Sequence, residues 1–245
     1  MNNLYKKNEV LAIIPARAGS KRIPNKNIRN FFGKPLIAHT ILQAKETSFI
    51  DRIIVDTDST KIAALAKKYG AEAPYLRPEH LAGDKAQVID AVIHLLNRLK
   101  KEEGYKPTHV MILQTTSPLR EEKDIKVCWD LMKKSNATTI LTVAPTHPRL
   151  YYLDNKQNII LANKRASKSS NTQAWPPAYL LNGCFVYITK TDALIRERNV
   201  ITKNTKAVVC DRWRSVDLDT PEDWAMAEFL FKNKKAIEKQ IKKFK

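Results

Sequence analysis

The sequence predicts an α/β fold, with a mostly parallel sheet and helices on both of its faces. Short apolar runs alternate with segments whose apolar residues recur at helical spacing, the pattern of repeated strand–helix–strand units. With 245 residues and 43% apolar content, the chain can bury one sizeable core. We therefore expect a single domain over residues 1–245.

The individual elements follow in chain order from the same patterns. Strands are predicted at residues 10–14, 52–57, 109–114, 139–144 and 184–188, and helices at 35–47, 59–69, 86–101 and 124–134. Pro35 and Ser59 are helix start signals, and Gly70 and Gly104 are stop signals. Another helix is predicted to begin near Thr220.

The alternating pattern stops between residues 146 and 181, where the sequence is polar and carries Pro148, Pro176 and Pro177. A loop of this length without structure of its own is unusual in a compact domain. We expect residues 146–181 to leave the core and meet a partner.

Composition excludes several classes of protein. No apolar run approaches the ~20 residues that cross a bilayer, and the first residues lack the apolar stretch of a secretory signal, so no membrane contact and a cytoplasmic location are predicted. Cys128, Cys184 and Cys210 are odd in number and far apart, which indicates reduced, mostly buried thiols.

The net charge of +18 is compatible with nucleic-acid binding, but its distribution does not favour it. Residues 229–245 hold seven lysines and one glutamate, without the interleaved aromatic residues of a base-stacking surface. We interpret this stretch as a basic terminal helix with a solvated face.

The first predicted strand runs into a loop with four cations, Arg17, Lys21, Arg22 and Lys26. Clustered positive charges are stabilised by an anion, and α/β sheets bind ligands at the carboxyl ends of their strands. A solvated basic turn is the alternative. The spacing matches neither a P-loop nor a dinucleotide fingerprint, so we interpret the loop as a different kind of polyphosphate site.

Asp217 and Asp219 alternate with apolar residues, which predicts that both carboxylates lie on one face of an extended strand. Two adjacent carboxylates repel each other unless a cation lies between them, and oxygen ligands suit Mg²⁺. The alternative is that Asp219 caps the helix that follows. Asp56 and Asp58 lie at another strand end, and Ser59 is interpreted as a helix cap.

Gln114, Thr115, Thr116 and Ser117 form a run of uncharged hydrogen-bonding groups after the third strand. Such groups suit a polyhydroxylated sugar. They suit a capped helix start equally well.

Six segments together resemble the cytidylyltransferases that make CMP-sialic acids. The loop carries Ala16, Arg17, Ser20, Lys21, Lys26 and Asn27 at that family's spacing, and residues 56–59, 76–81, 113–120, 182–183 and 215–220 follow in the family's order. The resemblance spans residues 10–224 and is specific because all six segments are in register.

The resemblance implies transfer of CMP from CTP to the anomeric 2-hydroxyl of a nonulosonic acid, with release of pyrophosphate and dependence on Mg²⁺. It implies a homodimer in which the 146–181 lobe also reaches the sugar site of the other subunit. Catalytic roles fall on Arg17, Lys21, Asp217 and Asp219, the last two also as metal ligands. Nucleotide contacts fall on Ala16, Arg17, Ser20, Lys21, Lys26, Asn27, Arg77 and Asp84, and sugar contacts on Gln114, Thr116, Ser117, Tyr179, Asn182, Gly183 and Phe185.

The sequence departs from the pattern common in N-acetylneuraminate enzymes at Thr172 and Leu180, where that family often has arginine. This makes a diacetamido acid of the legionaminic type a candidate substrate. Two alternatives stay open: a 3-deoxy-manno-octulosonate cytidylyltransferase, and a non-catalytic nucleotide- or nucleic-acid-binding module.

Overall fold

The structure is a computed structural model that describes residues 9–162, 171, 175–183 and 185–244. The described strands are β1 (Val10–Pro15), β2 (Asn30–Phe31), β3 (Lys34–Pro35), β4 (Arg52–Asp56), β5 (His109–Ile112), β6 (Thr139–Thr146), β7 (Tyr151–Leu153), β8 (Ile159–Leu161), β9 (Ala178–Leu181), β10 (Tyr187–Lys190) and β11 (Thr205–Val209). The α-helices are α1 (Leu36–Lys45), α2 (Thr60–Tyr69), α3 (Val88–Glu103), α4 (Glu122–Lys134), α5 (Thr191–Glu197) and α6 (Pro221–Lys242).

Seven strands form the central sheet, in the order β4, β1, β5, β10, β6 and β11, with β9 also paired to β6. Strands β1, β4, β5, β6 and β11 run in one direction, whereas β9 and β10 run antiparallel to their neighbours. The predicted mostly parallel sheet is confirmed. The direction of β10 is not evident from the sequence, because an apolar run looks the same in either direction.

The two faces of the sheet are set by alternation along β1. Val10, Ala12 and Ile14 face the layer that contains α1, α2 and α4. Leu11 and Ile13 face the layer that contains α3 and α5. Because successive side chains point to opposite faces of a strand, a continuous apolar run fits a strand covered on both sides.

The predicted helices are all present, and their start and stop signals act as expected. The Ser59 Oγ accepts from the Ile62 backbone amide at 3.3 Å, and Gly70 and Gly104 end their helices with φ of 90° and 67°. Sequence analysis did not predict the short α5 or the edge strand β11. In β11 the burial pattern is mostly exposed, so no apolar alternation marks it.

The 146–181 segment contains a two-stranded hairpin of β7 and β8, followed by β9 on the edge of β6. Most of its described large apolar side chains are exposed, among them Tyr152 at 68% and Leu153 at 70%. Thr172 lies outside the described residues.

A third apolar cluster joins the β2–β3 hairpin to the first turns of α6 through Phe31, Leu218 and Trp224. The predicted basic terminal helix is the later part of α6. Cys128 and Cys210 are free, buried thiols, and burial raises the pKa of Cys210 to about 12; Cys184 lies outside the described residues. In the described chain no helix is both long and apolar enough to cross a membrane.

Candidate active site

The basic loop leaves the carboxyl end of β1 and lines a cavity of about 460 Å³. The predicted site residues that line it are Arg17, Ser20, Lys21, Lys26, Asn27, Arg77, Asp84, Gln114, Thr116 and Asp219. The loop cation Arg22 also lines it, together with Thr115, Ala86 and Val88 and with four residues that were not predicted as site residues, Pro15, Ile23, Leu81 and Gly83. One cavity therefore collects side chains from both ends of the sequence.

Backbone and amide contacts hold the loop in place. The Ala16 and Ala18 amides donate to the Asp56 carbonyl at 2.9 Å and to the Asp58 Oδ1 at 2.8 Å. The Asn27 Nδ2 donates to the Arg17 carbonyl at 2.9 Å, and its Oδ1 accepts from the Thr115 hydroxyl at 2.6 Å. Asp58 and Asn27 thus support the loop, and Ala16, itself buried, contributes its backbone.

Two carboxylates, Asp84 and Asp219, pair with the cations of the loop. Asp84 is the partner of Arg17 and Lys21. Asp84 accepts from the Arg17 Nη1 at 3.1 Å and also pairs with the Lys21 Nζ. Lys21 and Arg17 hold the pKa of Asp84 below its usual range. Exposed pairs of this kind contribute little free energy, so a polyphosphate, with more charge than one carboxylate, can replace Asp84 at small cost.

Lys26 links the loop to the acidic segment, residues 217–219, which precedes α6. Its Nζ donates to the Leu218 carbonyl at 2.6 Å and lies 3.7 Å from the Asp219 Oδ1. Burial lowers the pKa of Lys26. Arg22 reaches the same Asp219 oxygen at 3.2 Å, so the Asp219 carboxylate is held by the cations of the basic loop.

Asp217 and Asp219 occupy different environments. The predicted extended strand is not formed: residues 215–219 belong to no strand, and the Asp219 amide donates to the Asp217 carbonyl at 2.9 Å in a tight turn. The Asp217 Oδ1 is buried and has no hydrogen-bond partner among the described residues. Burial raises the pKa of Asp217, and a hydrogen bond with the Thr116 side chain partly opposes this.

Gly183 makes room for the Asp217 carboxylate. It has φ of 60°, and a Cβ at this position would lie 2.3 Å from the Asp217 carboxylate. No side chain can occupy that space without moving Asp217. The break between β9 and β10, which both pair with β6, therefore brings a bare backbone against the Asp217 side chain.

The interpretation of Asp219 as the cap of α6 is wrong. The N-cap is Thr220, whose Oγ1 accepts from the Asp223 amide at 3.2 Å, while the Asp223 Oδ2 accepts from the Thr220 amide at 2.8 Å. Because Thr220 and Asp223 satisfy the helix start, the carboxylate of Asp219 is not used there.

These two carboxylates fit a Mg²⁺ ion. No group of three or more His, Cys, Asp or Glu side chains in the part of the chain that the structure describes is arranged to hold a metal ion by itself. Mg²⁺ is bound in many enzymes by one or two carboxylates together with water and substrate phosphates. A buried oxygen without a partner on Asp217, next to the space left by Gly183, agrees with such a site.

Arg77 lies in a buried ion pair. Its Nη2 donates to the Asp56 Oδ2 at 2.6 Å and to the Asp56 carbonyl at 3.0 Å. Burial raises the pKa of Asp56, and Arg77 acts against this. The Nε of Arg77 is buried without a protein partner in the described chain, and Arg77 lines the cavity.

Of the residues predicted to contact a sugar, some line the cavity and others do not. Gln114 and Thr116 line the cavity, joined by a 3.3 Å hydrogen bond. Asn182 is buried and bonds to Thr142 and Ser215, whereas Tyr179 is exposed on β9. Ser117 and Phe185 are fully buried and do not line this cavity.

Comparison with known proteins assigns the chain to a family. Residues 11–242 match the model of the cytidylyltransferase family. The chain belongs to this family. It is 36% identical over 233 residues to the CMP-N,N'-diacetyllegionaminic acid synthase of Legionella pneumophila, covering 93% of this chain and 99% of that protein.

Two further known proteins are similar to this cytidylyltransferase. The pseudaminic acid cytidylyltransferase of Campylobacter jejuni is 32% identical over 225 residues, which are 91% of this chain and 96% of that protein. A solved CMP:2-keto-3-deoxy-manno-octonic acid synthetase complexed with CTP superposes with a TM-score of 0.68 at 15% identity, covering 92% of this chain and 99% of that one. At this identity the likeness concerns the fold.

Two buried arginines support the site of the cytidylyltransferase. Arg120 donates to the Gln114 carbonyl at 3.2 Å, to the Phe185 carbonyl at 2.6 Å and to the Thr40 hydroxyl at 3.1 Å. It therefore ties the end of β5 to α1 and to the break before β10.

Arg214 acts in the same way beside the acidic segment, pairing with both Asp124 oxygens at 2.5 and 2.8 Å. This pair anchors the chain just before Asp217 to the start of α4. Sequence analysis did not predict the Arg214 pair, because nothing local marks two charges 90 residues apart as partners.

Proposed function

We propose that this cytidylyltransferase transfers CMP from CTP to the anomeric 2-hydroxyl of a nonulosonic acid and releases pyrophosphate. The observation that carries the proposal is the single cavity in which the cations of residues 17–26 face Asp219, Gln114 and Thr116. Relatives named for legionaminic and pseudaminic acids, matched over more than nine-tenths of the chain, support this class of acceptor.

In the proposed reaction, a bond forms between the sugar 2-oxygen and the α-phosphorus while the bond from that phosphorus to the pyrophosphate oxygen breaks. Negative charge grows on the phosphate oxygens, and preorganised cations stabilise it. Arg17 and Lys21 exchange Asp84 for phosphate oxygens. Arg17 offers a planar fork and Lys21 a point charge.

Asp217 and Asp219 are proposed to hold Mg²⁺, which when bound neutralises phosphate charge and polarises the reacting oxygens. Release of Asp219 to the metal would free Arg22 and Lys26 from their carboxylate partner. Arg77 is proposed to contact the nucleotide through its unpartnered Nε. Ser20 and Asn27 are proposed nucleotide contacts at the loop.

Gln114 and Thr116 are proposed to bind the acceptor sugar. Asn182, Gly183, Tyr179, Ser117 and Phe185 are proposed to belong to the same side of the site, with Gly183 acting through the position of Asp217. Leu180, half exposed on β9, presents an apolar side chain. Together with Thr172, it supports a diacetamido acid of the legionaminic type as the preferred substrate.

We also propose that the chain forms a homodimer through the 146–181 lobe, because the described strands of this lobe expose large apolar side chains. A cytoplasmic location is proposed with this function, because CTP is an intracellular nucleotide.

The decisive experiment measures pyrophosphate release for four nucleoside triphosphates against a panel of acids with Mg²⁺ present. The panel contains diacetyllegionaminic acid, pseudaminic acid, N-acetylneuraminate and 3-deoxy-manno-octulosonate. We expect the highest kcat/KM for CTP with the diacetamido acid of the legionaminic type. Equal turnover with UTP, or nucleotide binding without pyrophosphate release, would contradict the proposal.

A further inference from the structure

A second cavity, of about 580 Å³, lies at the edge of the sheet opposite the phosphate loop. It is open to solvent and is bounded by the end of α3, the loop before β5, the end of β10 and the start of α5. His109 begins β5 at this cavity, and Gln114 follows the other end of β5 at the first cavity. At about 3.3 Å per residue, the two are roughly 17 Å apart, so they are separate sites.

Two buried hydroxyl groups of this second cavity have no hydrogen-bond partner within the described part of the chain. They are the Tyr105 Oη and the Thr191 Oγ1. Such atoms are rare in folded proteins and cost free energy. The first cavity has the same property at Arg77, where a ligand is expected. Burial and, next, the Glu9 carboxylate raise the pKa of Tyr105 to about 12, while Arg52 acts against this, so its hydroxyl keeps its proton and can donate.

The charge of the second cavity is positive. Lys100, Lys106 and Lys190 line it, and none of them forms an ion pair with another described residue. Its single carboxylate, Asp192, lies 3.9 Å from Arg196. Burial and Lys190 lower the pKa of His109 to about 4, so this ring adds no charge at neutral pH. Unneutralised lysines in a concave site attract an anion.

The remaining wall of the cavity is apolar and includes Leu96, Pro107 and Ile195. Cavities of this size hold molecules of about nucleotide or sugar-acid dimensions. We propose that this cavity binds a small organic anion. Its carboxylate or phosphate faces the lysines, its hydroxyl or amide groups pair with Tyr105 and Thr191, and its apolar part lies against Leu96 and Ile195.

The test uses the full chain with labelled isoleucine methyl groups and follows the Ile195 signal by NMR. The probes are N-acetylneuraminate as the carboxylate, CMP as the phosphate ester, and inorganic phosphate as an anion without an apolar body. Each is titrated into protein that carries Arg17→Ala, which, on the proposed function, should weaken nucleotide binding at the first cavity. We expect saturable shifts of Ile195 with N-acetylneuraminate or CMP, and at least tenfold weaker binding of inorganic phosphate.

Matched variants decide the result. Lys190→Met combined with Thr191→Val should weaken the binding at least tenfold, whereas Lys239→Met on α6 should leave it unchanged. The spectra themselves show whether each variant is folded. The proposal is overturned if no probe shifts Ile195 at millimolar concentration, or if the double variant binds as tightly as its parent. It is also overturned if deleting residues 1–8 shifts Ile195 in the absence of any probe, because the chain's own terminus then fills the cavity.

Discussion

At the residue scale, the close contact between Gly183 and Asp217 restricts which side chains either position can hold. Gly183 combines a left-handed backbone with a close approach to a carboxylate. Asp217 in turn has a buried oxygen without a partner in the described chain. Each residue therefore limits which substitution the other position tolerates, and both can be tested separately.

Gly183→Ala should disable the metal site more than it destabilises the fold. The new Cβ must displace the Asp217 carboxylate, and alanine at positive φ costs more than about 1 kcal/mol. We expect at least a tenfold rise in the Mg²⁺ concentration needed for half-maximal turnover. Gly33→Ala is the matched control, because Gly33 also has positive φ, 81°, but nothing lies within 4 Å of its added Cβ. Equal effects of the two variants on Mg²⁺ dependence would contradict the prediction.

Asp217→Asn should abolish Mg²⁺-dependent turnover without lowering stability at neutral pH. Because the folded pKa of Asp217 is raised above its ordinary value of 3.8, the folded state binds this proton more tightly than the unfolded state. The contribution of this carboxyl to the free energy of unfolding therefore falls as the pH rises from 3.8 through the folded pKa. Asparagine does not titrate, so the variant avoids this loss.

Urea unfolding at pH 7 and at pH 3.5 measures this difference. The variant should be at least as stable as the parent at pH 7, and its advantage should shrink at the lower pH. Asp130→Asn on α4 is the opposite case: Lys133 holds the pKa of Asp130 below its usual range, so this variant should be no more stable than the parent at pH 7. A variant that loses stability at pH 7 but keeps its activity would show that Asp217 is structural.

At the element scale, the start of α6 distinguishes Asp223, which caps the helix, from Asp219, which we propose as a metal ligand. Thr220 and Asp223 form the capping box, while Asp219, one residue earlier, faces the cavity with Arg22 and Lys26. Helix geometry therefore fixes the position of Asp219 without using its carboxylate.

Thr220→Ala should lower the free energy of unfolding by about 1 kcal/mol, the usual cost of losing an N-cap. Its turnover should stay within a few fold of the parent enzyme. Asp219→Asn should show the reverse, with stability nearly unchanged and Mg²⁺-dependent turnover strongly reduced. Thermal unfolding and pyrophosphate release, measured on both variants, check the pair. If Asp219→Asn lowers stability as much as Thr220→Ala while turnover persists, the metal assignment fails.

At the scale of the whole molecule, the 146–181 lobe is the segment through which we propose that the homodimer forms. Its hairpin and β9 expose Tyr152, Leu153, Ile159, Leu180 and Leu181. Apolar surface of this extent is typical of an interface, and closed twofold symmetry is the common arrangement for soluble oligomers.

Leu153→Glu combined with Ile159→Glu should convert the dimer to a monomer, because a charge on each strand of the hairpin cannot be buried without a partner. Light scattering coupled to size-exclusion chromatography measures this. Val127→Glu, on the exposed face of α4, is the control and should leave the mass unchanged. A monomeric parent protein at working concentration would refute the dimer directly.

Local chemistry in the sequence was enough to predict the fold class, four helices with their ends and the loop after β1. Apolar periodicity, the Ser59 cap, and the glycines at 70 and 104 act through neighbours a few residues away, so they can be read without a structure. Local chemistry also indicated the loop cations and the pair Asp217 and Asp219, whereas Ala16, Ser20 and Asn27 were predicted from the family resemblance.

Only the tertiary structure decided how these groups meet. It places Gly183 against Asp217, pairs Arg77 with Asp56 and Arg214 with Asp124, and sets Asp84 and Asp219 against the loop cations. It also shows that β10 runs antiparallel to its neighbours and that residues 217–219 form a turn instead of the predicted strand. Such contacts join residues far apart in the chain, and they depend on how the whole sheet and its helices pack rather than on any local preference.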